Sequence, residues 1–469
     1  MSETPSPDGR VADPQADFAA TALTSLDGRY RAATRPLAER ISEFALMRNR
    51  VRVEVEWFVF LSGIEAIAEL PPTDAATAAR LRALHVGFDD AAFARIKAIE
   101  RRTNHDMKAV EYYVKEQLDG TPLQPYREFV HFACTSEDIN NISYALMLRD
   151  AVREVWRPQV QAVRERLAGM ALQWRDVAIL TRTHGQPATP STLGKEIAVF
   201  AFRLQRQLRA VDQLEFLGKI NGATGTFSAH VLAYPGLDWE TLSRAFVESF
   251  GLVHNPLTTQ IEPHDFMAEA FHAMQRVHTI CTDLCVDAWL YISIGYFRQR
   301  LVAGEVGSST MPHKVNPIDF ENAEANFGLA NATLQHLATK LPVSRLQRDL
   351  SDSATLRSIG SAIGHGCVAL TALLRGLGKL ELDATHIARV LDGAWEILGE
   401  GVQTVMRKAG GDDPYDQMKQ LTRGGTLTRE SYLAFIAASD LDAAEKRRLS
   451  AVTPADYTGR ASALVDNVT

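Results

Sequence analysis

The segment Gly304–Pro317 reads Gly-Glu-Val-Gly-Ser-Ser-Thr-Met-Pro-His-Lys-Val-Asn-Pro, with two adjacent serines behind a glycine and a lysine between two prolines. A Gly-Ser-Ser turn offers hydroxyls and backbone N–H donors, and Lys314 adds a fixed cation. That set suits removal of a proton beside a carboxylate, where negative charge must be stabilised as it develops. The chain carries neither the GxxxxGK[ST] phosphate loop nor the GxSxG nucleophile elbow. On residue chemistry alone, a solvated connection between two helices fits the segment equally well, since loops are surface features by default. Two further side chains can move a proton near neutral pH: His184, in the Pro- and Gly-rich stretch 182–190, and His105, between Asn104 and Asp106. A lone histidine is more often structural than catalytic, so each needs support from its surroundings.

Longer motifs supply that support. Gly307-Ser308-Ser309-x-Met311-Pro312-x-Lys314-x-Asn316, followed by Glu321, resembles the signature of the fumarase/aspartase superfamily, lyases that release fumarate or a close analogue. Thr135-Ser136-Glu137-Asp138-Ile139-Asn140-Asn141 and Arg182-Thr183-His184-Gly185-Gln186-Pro187-Ala188-Thr189-Pro190 are similar to two other blocks of that superfamily. His313, in its Met-Pro-His-Lys context, resembles adenylosuccinate lyases and carboxymuconate cycloisomerases more than fumarases. Asp27-Gly28-Arg29-Tyr30, Thr103-Asn104-His105-Asp106, Gln260 and the run Ser344–Asp349 resemble the adenylosuccinate lyase family specifically. The resemblance covers residues 27 to about 357; the C-terminal hundred are less diagnostic.

The resemblance implies roles. Ser308 would be the base that takes a proton from the carbon beside the succinyl carboxylate, with Ser309 as a carboxylate ligand and Lys314 supporting the developing charge. His184 would be the acid that protonates the departing amine. His105 would bind substrate, with Asp106 fixing its tautomer. Arg29, Arg348 and Arg357 would hold phosphate and carboxylates, which forked guanidinium groups match well. Tyr30, Asn104, Thr135, Ser136, Gln260, Asn316, Asn322 and Ser353 complete the implied substrate-binding set. The implied reaction is β-elimination of fumarate from adenylosuccinate and from the succinylated aminoimidazole carboxamide ribotide of purine biosynthesis. No metal and no organic cofactor is implied. The implied assembly is a homotetramer whose shared active sites draw His105, His184 and the Ser308 loop from three subunits. Superfamily lyases of the argininosuccinate or carboxymuconate type have no phosphate to hold, which Arg29-Tyr30 and Asn104–Asp106 discriminate. A catalytically silent structural protein on the same fold is opposed by Ser308, His184 and Lys314 occurring together.

Long helices must position these groups. From Pro263 to Arg300 there is no internal proline, and Met267, Phe271, Met274, His278, Cys281, Cys285, Ala288 and Ile292 recur at steps of four and three, a heptad seam. Such a helix would reach roughly 55 Å, too long to be covered by its own subunit, so its seam is expected to stay exposed for other copies. Further long runs are predicted over Ser191–Leu217, Glu137–Trp174 with a kink at Pro158, Pro317–Lys340 and Asp352–Leu377. Shorter helices are predicted over Pro36–Ile64, Ala75–His85 and Asp106–Gln117, and a strand over Ala178–Thr181. The expected architecture is an all-α, three-domain lyase. Residues 1–22 form a disordered leader, 23–122 an N-terminal helical domain, 123–377 the central bundle and 378–469 a C-terminal helical domain. His278, Cys281 and Cys285 share the heptad seam, so core packing is expected rather than a metal site. Gly360, Gly364 and Gly366 are read as points of close helix contact.

Composition sets the outer limits. In 469 residues, 46% are hydrophobic and 23% charged, an ordinary globular balance. A formal net charge of −7 argues against a nucleic-acid-coating protein while leaving room for a local cationic pocket. No run of 18 uninterrupted apolar residues occurs, so no membrane span is expected. Four cysteines without a CxxC pair fit a reducing cytoplasm.

Overall fold

The computed structural model describes residues 21–300, 311, 313–422 and 427–468. Ser308 and Ser309 lie outside the described residues, as does nearly all of the expected leader. Among the described residues the chain is all-α. Strands are confined to four two-stranded ribbons. Long helices run over Leu193–Asp212, Asp265–Ser293, Ile318–Lys340 and Ile359–Lys379.

The longest of these departs from expectation in two ways. Asp265–Ser293 has 29 residues, about 43 Å, and stops short of Arg300. Gly295 ends it: at φ +77° its N–H reaches the Ile292 carbonyl at 3.1 Å, and the Tyr296 N–H reaches Tyr291 at 2.9 Å. This pair of bonds is a Schellman closure, which needs a left-handed residue at the turn. Its heptad seam is also not free for other copies. Met267, Phe271, Met274, His278, Cys281, Cys285 and Ala288 are all buried within the single chain. At Pro158 the expected interruption takes the form of a π-helical turn, Ala151–Trp156, directly upstream. Proline has no N–H to donate and its ring crowds the carbonyl one turn back, and a widened turn relieves both.

Packing divides the chain into two compact units, each built from three separate segments. This division follows contacts, whereas the expected three domains follow the order of the sequence. The first unit comprises the stretch ending at Gln159, Arg209–His278 and Asn326–Ala369. Its centre is the helix Glu43–Ser62, on which Leu46, Met47, Val51, Trp57, Phe58 and Leu61 are buried. The expected Pro36–Ile64 helix is broken in two, because Ser42 turns out of helical geometry and accepts the Ala45 N–H at 3.2 Å, an N-cap. Helices Ala75–Val86 and Asp106–Leu118 match expectation, and a further helix, Asp90–Thr103, starts at a cap made by Asp89. Gly360 and Gly366 mark close approaches: a Cβ would lie 2.8 Å from the Ile41 carbonyl and 2.9 Å from the His278 ring.

That histidine has both ring nitrogens engaged. Nε2 accepts the Trp156 indole N–H at 3.0 Å, and Nδ1 lies 3.0 Å from Asn331 Oδ1. The ring therefore carries its proton on Nδ1 and donates it to the amide oxygen. Burial pushes the His278 pKa down to about 4. Its folded value is below its unfolded one, so between roughly pH 6.5 and 4 the unfolded chain takes up a proton that the folded chain refuses. Stability should fall as pH falls through this window, by about 1.4 kcal/mol per unit at most. His278→Gln, weaker at neutral pH for lost packing, should show a shallower loss of its urea midpoint between pH 7 and pH 5. Equal slopes in both proteins would show that His278 does not titrate this way.

The second unit comprises Val160–Leu208, Thr279–Ala325 and the stretch from Leu370 onward. Ala178–Ile179 pairs antiparallel with Ser191–Thr192, and Arg182–Thr183 with Gln186–Pro187. The C-terminal helices pack around Leu391, Trp395, Val402, Met406, Tyr432 and Ile436, with Leu180 in the same core. By length and mean hydropathy the run Ser351–Lys379 is apolar enough to cross a membrane, but 67% of its apolar window is buried in the chain, the state of a core helix.

Candidate active site

In the first unit, five of the expected substrate residues meet through charge. Asp106 opens the helix Asp106–Leu118, and its Oδ2 receives Arg50 Nη1 at 2.9 Å and Arg357 Nη2 at 3.4 Å. Burial favours the protonated acid, but the two guanidinium groups and the Met107 N–H outweigh it and hold the Asp106 carboxyl below its ordinary range. Arg50, wholly buried, also donates through Nε to Asn140 Oδ1 at 2.8 Å. Asn140 in turn donates to Glu137 Oε1 at 2.7 Å, and the same oxygen receives Arg348 Nη1 at 2.9 Å. Arg348 reaches Gln260 Oε1 and Ser353 Oγ, each at 3.3 Å. A continuous line of alternating charge thus runs from Arg357 through Asp106, Arg50, Asn140 and Glu137 to Arg348. Arg357 is 51% exposed at its side chain and Arg348 only 13%. Arg357 can meet an anion from solvent, while Arg348 is committed to Glu137, Gln260 and Ser353.

The tautomer of His105 is set differently from expectation. Its Nδ1 accepts the Lys108 N–H at 3.1 Å, so a neutral ring keeps its proton on Nε2. Asp106 is turned to the arginines instead. The ring sits at the N-cap of its helix, just after Asn104, whose left-handed backbone (φ +50°) ends the helix before. Thr135 and Ser136 begin the helix Ser136–Asp150, half-buried, where the Thr135 N–H is held by Asp138 Oδ2 at 2.8 Å. Arg29, exposed, and Tyr30 lie in the turn that leads into Arg31–Ala38.

Several supporting residues escaped the sequence reading. Asp138 and Lys219 form an ion pair at 2.9 Å with no exposed surface on either side chain. The Asp138 carboxylate also accepts N–H groups of Asn221 at 3.0 Å and Gly222 at 3.1 Å, so the buried charge is fully satisfied. This pin ties the 219–222 turn to the start of the Ser136–Asp150 helix. His131, at φ +62°, lies 2.6 Å from the buried Glu54 carboxylate. Burial works against a charged ring there, but Glu54 prevails and raises the His131 pKa. Arg50, Glu54 and Lys219 lie in helix or turn patterns whose residue types carry no local sign of pairing. Asp138 lies within the Thr135–Asn141 block, and His131, four residues before that block, is the other position where the sequence offers a signal.

The second unit holds the remaining described residues. His184 and Gly185, at φ +53° and +75°, form the two-residue turn of the hairpin Arg182–Pro187. Two consecutive left-handed residues define the type I′ turn, whose twist matches paired strands. His184 thus stands exposed at a hairpin tip. A left-handed backbone at a residue other than glycine is uncommon, and such strain collects at functional sites. Lys314 is exposed and Asn316 half-buried. Their segment is pinned where Gln299 Nε2 donates to the Val315 carbonyl at 3.1 Å. Asp319, in the first turn of the helix that follows, is buried between Arg375 Nε at 2.6 Å and Lys379 Nζ at 2.9 Å. Asn322 lies one turn further along that helix.

An all-α chain with these helices matches solved structures. It superposes on a fumarate lyase from Mesorhizobium sp. BNC1 with a TM-score of 0.74, covering 92% of this chain and 97% of that one at 20% identity. A 3-carboxy-cis,cis-muconate lactonizing enzyme from Pseudomonas putida gives a TM-score of 0.70, covering 90% and 94% at 22% identity. At these identities the likeness defines the fold. In sequence, residues 28–330 match a family described as "Lyase", and residues 344–458 match "Adenylosuccinate lyase C-terminal". Adenylosuccinate lyase of Escherichia coli (strain K12) is 51% identical over 449 residues, covering 96% of this chain and 98% of that protein. The protein of the same name from Vibrio cholerae is 50% identical over 452 residues, covering 96% and 99%. The chain belongs to the adenylosuccinate lyase family of the fumarase/aspartase superfamily.

Proposed function

We propose that the chain eliminates fumarate from adenylosuccinate, leaving AMP, and from the succinylated aminoimidazole carboxamide ribotide, leaving the free carboxamide. The observation that carries this reading is a likeness to relatives of that name along nearly the whole chain. Ser308 takes the proton from the carbon beside the succinyl carboxylate, and the electron pair spreads into that carboxylate with Lys314 nearby. The C–N bond then breaks, a C=C bond forms, and His184 gives its proton to the departing nitrogen. Arg357, exposed at one end of the charge line, receives an anionic group of the substrate. Arg348, at the other end of that line, holds Gln260 and Ser353 ready. His105 offers its Nε2–H, since its other nitrogen is taken by Lys108. Arg29, Tyr30, Asn104, Thr135, Ser136, Ser309, Asn316 and Asn322 complete the contacts.

The protein works as a homotetramer in the cytoplasm, with sites shared between subunits. Supporting assembly, the second unit leaves Val199, Phe202, Val286, Trp289 and Leu290 each at least 40% exposed, on faces other than the heptad seam. Supporting a reducing compartment, Cys134, Cys281, Cys285 and Cys367 are all free thiols.

Absorbance change on mixing purified protein with adenylosuccinate tests the reaction, and a silent mixture would sink it. EDTA in the same assay should leave the rate unchanged, because every step above is given to a side chain. A reproducible loss restored by one divalent ion would reassign the chemistry.

A further inference from the structure

We propose that Glu400 is a positioning residue for His184, and that seating the His184 hairpin is what the C-terminal segment contributes to catalysis. The inference rests on the assignment of His184 as the acid. The hairpin is small: two residues pair with two, and a two-stranded ribbon is marginal in water on its own. Its orientation is therefore decided at its root. Going out, the chain passes Leu180, whose side chain lies in the C-terminal hydrophobic core and whose carbonyl accepts the Tyr296 hydroxyl at 2.9 Å. Coming back, the Ala188 N–H returns to the Thr181 carbonyl at 3.0 Å, and the Thr181 hydroxyl donates to the Thr189 carbonyl at 2.6 Å. The Leu180 ties hold the outgoing limb to its surroundings, whereas the two returning bonds lie within the hairpin and leave the returning limb in need of its own tie.

Aim comes from Thr189 and Glu400, 211 positions apart. The Thr189 hydroxyl donates to Glu400 Oε2 at 2.5 Å, and the Tyr457 hydroxyl donates to the same oxygen at 3.3 Å. The Tyr457 ring lies over Gly401, where a Cβ would come within 3.1 Å of it, so the backbone beside Glu400 must be bare for this arrangement. Glu400 thus links the returning limb of the hairpin to two parts of the C-terminal segment. Glu400 and Thr189 are exposed, and an exposed hydrogen bond contributes little to global stability. A misplaced acid is another matter: a shift of about 1 Å costs on the order of a hundredfold in rate. Loss of this link should appear in the chemical step far more than in the melting temperature.

The test compares Glu400→Ala, Thr189→Val, their double variant and Glu400→Gln in the purified full-length protein. Either single change should lower kcat about tenfold or more, with KM within about threefold and an unshifted melting temperature. The double variant should be no worse than the poorer single, because both remove one link. Gln keeps an acceptor oxygen and should recover kcat to within about threefold of wild type. Hydrogen exchange of the 181–190 peptide should quicken in the Ala and Val variants alone. Singles within twofold of wild type in kcat, or effects that multiply in the double variant, would overturn the proposal. His184→Gln is run alongside. If it keeps wild-type kcat, the acid assignment has failed, and unchanged exchange of the 181–190 peptide then separately overturns the seating role of Glu400.

Discussion

Ser308→Ala is expected to abolish turnover while leaving substrate affinity within about tenfold of wild type. A group that takes a proton acts in the transition state, so its loss falls on kcat and not on ground-state binding. A serine hydroxyl is a weak base, and it can serve only where donors stabilise the alkoxide; the backbone N–H groups around Ser308 and the Lys314 cation are the candidates. Single-turnover kinetics and equilibrium binding with adenylosuccinate separate the two quantities. A loss of under about tenfold in kcat would remove Ser308 from the role of base.

His184→Gln should be comparably inactive, because the departing nitrogen then has no side chain to give it a proton. If the rate persists, His105 becomes the preferred acid. The two dead proteins also test the shared site. Mixed, dissociated and reassembled at random, about one site in four receives both intact residues, so recovery should approach roughly 25% of wild type. Verified subunit exchange with no recovery would place Ser308 and His184 in one site from one chain.

How far sequence reaches here depends on the range of the interaction. Motifs with short spacing carried the family, and the helices with uninterrupted apolar periods fell where expected. Boundaries failed where one residue decides them: Gly295 ended the long helix early because a left-handed turn stops a heptad that the apolar pattern alone would continue. The seam pattern gave burial but not the partner, since apolar spacing is the same whether the neighbour is the same chain or another. Asp106 was read as the partner of the adjacent His105, yet it serves Arg50 and Arg357, each more than fifty positions away. Pairing across such separations leaves no trace in residue type or local spacing, so Arg50, Lys219 and Glu400 were all invisible as supports.

Building each compact unit from three separate segments also bears on how the protein is made. The first unit has no complete set of parts until Ala369 has been synthesised, and the second draws on residues from Val160 to the C-terminal helices. A ribosome therefore exposes long apolar helices well before their neighbours exist, the circumstance in which nascent chains aggregate or recruit chaperones. For the same reason no single cut of the gene yields one unit alone. Expression of either half should give insoluble protein, whereas co-expression of the two pieces offers each its missing segments.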